Sequence, residues 1–161
     1  MTPQLTAGQN ATLKAHILAN GDTAQLYNDG NLDGLAALLN APANPAYIIW
    51  RTTVTLDEIQ QNGFDWTQVD NLAEPKARTW EWLFSNQSRT VNPSKANVRA
   101  GIDEVWAGTA GKLAVRAQVY VHCKRAARRV ERVFATGTGT DATPGVMATE
   151  GPIAFQELIG L

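Results

Sequence analysis

The chain has 161 residues, 44% of them hydrophobic and 18% charged, and its 14 Lys and Arg against 15 Asp and Glu leave a net charge of −1. That length suits one domain of the usual size, roughly 100 to 150 residues, able to bury its own core. The near-neutral balance implies no bulk electrostatic attraction to nucleic acid, although the distribution of charge is a separate matter, and no apolar run approaches the roughly 20 residues of a membrane-spanning helix.

No basic start followed by an apolar run opens the chain, so neither a secretory nor a transit signal is expected. The single cysteine, Cys123, has no internal disulfide partner and is expected to be a buried, inert thiol in a reducing compartment.

Residues 6–19 carry Leu13, Ile17 and Leu18 at helical spacing and stop at Asn20 and Gly21, which predicts a short first helix. After a cap at Asn31, Leu32, Leu35, Ala36, Leu38 and Leu39 predict a second, ended by Pro42 and Pro45. Residues 47–54 are aromatic and β-branched, a strand preference in a run too short to separate from buried helix. Thr55 with Glu58 forms a capping box that starts a helix carrying Leu56 and Ile59 and ending near Asn62 and Gly63.

Phe64, Asp65, Trp66 and Val69 read as a compact turn with inward rings, and residues 72–84 as a helix broken by the polar stretch 85–92. Pro93 is expected to open a helix running through Val98, Ile102, Val105 and Trp106 to Gly108. The longest periodic segment is 111–134, where Val115, Val119, Cys123, Ala126, Val130 and Val133 recur at steps of three and four and predict one long helix. Residues 135–151 are rich in Gly, Thr and Ala, a composition expected to stay loose, and the chain turns apolar again over 152–161. The predicted fold class is therefore all-α, a compact helical bundle (1–134) with a long C-terminal helix and an extended C-terminal arm (135–161).

Arg125, Arg128, Arg129 and Arg132 lie three or four apart on that long helix and are expected to form a basic stripe. Such a stripe serves as a solvated face near the negative end of the helix dipole, faces DNA phosphates, or pairs with carboxylates of a neighbouring subunit. The tail contributes Asp141, Glu150 and Glu157 and no cation, which suits the last of these. Ile153, Phe155, Leu158, Ile159 and Leu161 form an apolar set that either folds back on its own domain or is donated to a partner.

Of the tryptophans 50, 66, 80, 82 and 106, most are expected in the core, but Trp80 and Trp82 cannot share one helical face, so one of them meets another segment or a neighbouring subunit. His16 and His122 stand apart, no metal-ligand spacing occurs, and no phosphate loop or nucleophile elbow is present. Asp57 and Glu58 are accounted for by a helix start, and Asp103 and Glu104 are expected to pair with Arg99 or solvent. No catalytic residues, cofactor or metal are expected.

Three segments carry a resemblance: Phe64-Asp-Trp-Thr-Gln-Val-Asp-Asn-Leu, Asn92-Pro-Ser-Lys-Ala-Asn-Val-Arg-Ala-Gly-Ile-Asp-Glu-Val-Trp106, and Phe134-Ala-Thr-Gly-Thr-Gly-Thr-Asp141. With most of the chain beyond about residue 45, they resemble a family of small tailed-phage virion proteins, the head-to-tail connector or adaptor proteins of the neck. The resemblance implies a helical body that assembles into a ring, usually twelvefold, beneath the portal protein and sends C-terminal arms onto it. It also implies a downstream tail or nozzle protein as neighbour, non-specific contact with packaged DNA, synthesis in the host cytoplasm and residence in the virion. Two other classes compete: a nucleic-acid-binding regulatory domain using the basic helix, and a cell-wall-cleaving virion enzyme.

Overall fold

The computed structural model describes residues 5–61, 63–147 and 150–161. In chain order the elements are α1 (Ala7–Ala19), α2 (Gly21–Asn28), α3 (Leu32–Asn40), β1 (Ile48–Trp50), β2 (Val54–Thr55), α4 (Leu56–Ile59), α5 (Trp66–Asp70), α6 (Glu74–Leu83), β3 (Thr90–Val91), α7 (Ala96–Val105), α8 (Ala110–Cys123), β4 (Lys124–Ala126), α9 (Arg129–Phe134), β5 (Ala135–Thr136), β6 (Val146–Met147) and α10 (Phe155–Ile159). The strands form three two-stranded sheets, β1 with β4, β2 with β3 and β5 with β6.

Among the described residues the fold class is thus helix-rich but mixed, 55% helix with 11% strand, and the expected all-α bundle is not what forms. The chain makes two compact units, Trp50–Arg125 and the joined segments Met1–Ile49 and Ala126–Leu161.

In the discontinuous unit, Thr6 caps α1 reciprocally with Gln9 and the Asn31 side chain accepts from the Gly34 N–H to start α3. One stripe of each helix is apolar, so Leu13 and Ile17 of α1 meet Leu35 and Leu39 of α3, Val130 of α9, Ile153, and Leu158 of α10 in a single cluster. The helix α2 fills a stretch in which the sequence marks no element. Its buried Thr23 hydroxyl donates to the carbonyls of Ile17 (2.8 Å) and Asn20 (3.0 Å), satisfying the end of α1.

The continuous unit builds its core from Val54, Leu56, Ile59, Phe64, Trp80, Phe84, Val91, Ile102, Val105, Trp106, Val115, Val119 and Cys123. Trp80 and Trp106 meet edge to face at 5.2 Å between ring centroids, with Phe84 and Phe64 at their flanks. The Thr55–Glu58 capping box forms as the sequence predicts, while Asn62, part of the expected helix end, lies outside the described residues. The helix expected from Pro93 begins at Ala96, because the Asn92 side chain accepts from the Ser94 N–H (3.1 Å) and holds a turn ahead of it.

Residues 47–54, which propensity left between strand and helix, hold β1 at Ile48–Trp50 and the start of β2 at Val54 with a bend at Thr52 between them, and β1 breaks the predicted 111–134 helix by pairing with β4. The helix ends at Cys123, and Lys124 turns to φ −119° and ψ 156° with no Gly or Pro to force it. Within the discontinuous unit Ala127 N–H donates to Tyr47 O (2.8 Å), Ala43 N–H to Ala127 O (2.9 Å) and Arg129 N–H to Ala41 O (2.9 Å). Within the continuous unit Arg51 N–H donates to Cys123 O (2.9 Å). The β-forming partner recruits a segment of good helix formers, tertiary pairing overriding a preference worth only tenths of a kcal/mol per residue, at most roughly 0.7.

The predicted extended arm is also corrected, with residues 148 and 149 outside the described range. The β5–β6 ladder pairs Ala135 with Met147 and Thr136 with Val146, and the loop between them wraps Tyr47. Ile48 N–H donates to Gly139 O (2.7 Å), Gly145 N–H to Ile48 O (2.8 Å) and the Tyr47 hydroxyl to Gly137 O (2.8 Å). Gly139 sits at φ +68° against the Tyr47 ring, where a Cβ would overlap the aromatic carbons. The glycines that make the segment look loose are what let it close on that ring.

Candidate functional site

Of the apolar set expected to meet a partner, Ile153 and Leu158 are core residues of the discontinuous unit. Asn40 clamps Ile153 on both sides, its Nδ2 donating to Ile153 O (2.8 Å) and its Oδ1 accepting from Ile153 N–H (2.8 Å). The half-buried Leu161 presents its carbonyl to the Lys14 ammonium. Phe155 and Ile159 point the other way, 38% and 62% exposed, one turn apart on α10. The helix is short and amphipathic, with Leu158 inward and that pair outward.

The four arginines do not share a helical face. Arg125 lies on β4, in the continuous unit, and the other three lie at or on α9. Arg128 precedes α9, where its N–H donates to Glu131 Oε2 (2.8 Å) and its guanidinium lies 3.3 Å from Oε1. That carboxylate is buried and also accepts from Gly151 N–H (3.1 Å), tying the tail to the helix start. Arg129 pairs with Asp22 at 2.7 Å, and its guanidinium hydrogen bond holds the Asp22 carboxyl below its ordinary range. Arg132 donates to Pro45 O (3.3 Å) and covers the Tyr47 ring at 5.8 Å. The expected stripe fails because a strand separates its first member from the rest.

Trp80 and Trp82 divide as their spacing requires, with Trp80 6% and Trp82 69% exposed. Leu113 and Val121 are further exposed apolar side chains of the continuous unit that the sequence pattern did not flag, and Trp66, expected to turn inward in a compact turn, instead opens the helix α5 and is 53% exposed, its ring packed on Phe64. Val121 sits two residues from the buried Val119 and Cys123, so it occupies the outer face of α8.

Asp103 and Glu104 pair with Arg116 (3.5 Å) and Lys76 (3.7 Å) rather than with Arg99. Arg99 instead donates to the carbonyls of Pro93 and Ser94 and stacks on Trp50. The Tyr120 hydroxyl donates to Asp103 (2.9 Å), and burial followed by that carboxylate raises its pKa. Burial pushes the Cys123 thiol up to about 12, so it is protonated at neutral pH and a poor nucleophile. Among the described residues no group of three His, Cys, Asp or Glu is placed to hold a metal ion, and no helix is long and apolar enough to cross a membrane.

No family model, curated protein or solved structure matches the chain.

Proposed function

We propose that this chain is a structural subunit of a tailed-phage neck, a head-to-tail adaptor that assembles into a ring beneath the portal. The observation that carries the reading is the outward pair Phe155 and Ile159, held on a terminal helix whose inner side chain is locked into the core. Single exposed apolar residues are ordinary on any surface. Two at one-turn spacing on an anchored helix form a rigid contact that loses little entropy on binding.

Trp82, on α6 of the continuous unit, supports the same reading, since exposed tryptophans are enriched where proteins meet. The sequence resemblance names the partner, the portal. It also implies a downstream tail or nozzle protein and a virion location after synthesis in the host cytoplasm. Attachment here uses one face of a docked helix in place of a free arm, so the partner receives Phe155 and Ile159 while Ile153 and Leu158 stay in the subunit.

The test is electron microscopy of the protein mixed with its portal rings. The double substitution F155S/I159S should leave the fold intact and abolish attachment. Rings that still bind portal normally would remove α10 from the contact.

A further inference from the structure

Thr12 and His16 lie one turn apart on one face of α1, beside the apolar positions that face the core. Asn20, the extended residue that caps the helix, donates through Nδ2 to His16 O (2.7 Å) and continues this polar stripe. The stripe lines a cleft of about 610 Å³ together with Arg129 and Arg132 of α9 and Pro45, all within the discontinuous unit. The volume falls in the range, roughly 300 to 1,000 Å³, of pockets that take small organic ligands.

The charges lining this cleft do not cancel. Arg129 meets Asp22, whereas among the described residues no carboxylate pairs with Arg132. Two guanidiniums against one carboxylate leave a surplus positive charge beside a half-buried imidazole. The pKa of His16 is lowered from its ordinary 6.5, first by burial and then by Arg129 and Arg132, with Asp22 opposing them. The imidazole is therefore neutral at pH 7 and able to donate one hydrogen bond, while each guanidinium retains donors beyond its one side-chain bond inside the protein.

We propose that this cleft binds a phosphate group carried by a small molecule. Two arginine forks and an imidazole supply more directed donors than the two oxygens of a carboxylate use, and a phosphate monoester offers three terminal oxygens and close to two negative charges. A duplex is a poor fit, because binding to its regularly spaced phosphates requires a row of uncompensated cations rather than one surplus charge in a hollow. This inference is independent of the neck assignment.

The test follows the His16 ring resonances by NMR in the full chain during titration with inorganic phosphate, adenosine monophosphate, acetate and a short DNA duplex. Phosphate and the nucleotide should shift them saturably and raise the His16 titration midpoint, because an added anion offsets Arg129 and Arg132 and joins Asp22 in favouring the imidazolium. R132Q, at an exposed position, should fold normally and weaken both ligands by about tenfold or more, the scale of a lost charge-assisted hydrogen bond. R128Q should bind as the native chain does, since Arg128 faces Glu131 and does not line the cleft. The proposal is overturned by any of four results: no saturable shift, equal binding in R132Q, acetate binding as tightly as phosphate, or a response to the duplex without one to the nucleotide.

Discussion

Residues 50–125 build one unit from an unbroken stretch of chain, whereas the other unit needs the first 49 residues and the last 36 at once. In the continuous unit a helix meets partners from the same unbroken stretch, α6 the adjacent α7 and α8 the earlier α5 across α6 and α7. In the discontinuous unit α3 depends on α10 and α1 on α9, across more than a hundred residues. Local pattern therefore describes the first unit well and misjudges the second, where the decisive contacts come from a tail that sequence reading sets aside as an arm.

Truncation after residue 134 gives the largest expected effect. It removes Met147, Ile153 and Leu158 from the cores of the discontinuous unit and both hydrogen bonds of Asn40 to the tail. Each lost large apolar side chain costs about 2–5 kcal/mol, enough together to unfold a marginally stable unit. Amide exchange should show α1 and α3 losing protection while α7 and α8 keep theirs. Protected α1 and α3 amides in the truncated protein would restore the tail to a dispensable arm.

Within the tail the contrast narrows to neighbouring side chains. Leu158→Ala should destabilise by about 2–5 kcal/mol and Ile159→Ala by no more than about 0.5 kcal/mol, because one is core and the other surface. Urea unfolding of the two variants measures the difference, and equal losses would show that α10 does not dock as described.

The smallest expected effect is a difference in acid response. Glu58 has its carboxyl pKa lowered from 4.5, chiefly by the Thr55 N–H and then by Arg51, so folding favours the charged form. Its contribution is complete above the ordinary value and is lost as pH falls through the depressed one. Glu58→Gln should flatten this part of the acid response and cost about 1 kcal/mol at neutral pH, reduced by the partial exposure of the ion pair. In the other unit, folding favours neutral His16, and below its ordinary 6.5 the unfolded chain gains protons first. That unit should begin to weaken between about pH 7 and 5, before the continuous one responds. Urea titrations followed by residue-resolved NMR at several pH values would reveal both onsets, and simultaneous onsets would remove His16 from the acid response.

Helix starts were legible because their signals lie within four residues of the effect. Asn31 and Thr55 with Glu58 cap as their spacing predicts. The division between Trp80 and Trp82 was legible for the same reason, since helical geometry alone separates residues two apart. The cleft left one faint trace, Thr12 and His16 one turn apart on α1, but nothing in that spacing identifies Arg129 and Arg132 as its opposite wall.

By itself, then, the sequence determined the helix-rich character, the caps at Asn31 and Thr55 and the apolar stripes that fill the cores, all consequences of local hydrogen bonding and periodicity. Only tertiary structure decided that the helix through Cys123 ends in a strand, that Gly139 and Gly145 close on Tyr47, and that Ile153 and Leu158 belong inside. Each of those outcomes depends on a partner distant along the chain. The pairing and burial that such a partner supplies exceed the small conformational preference of the segment that receives it.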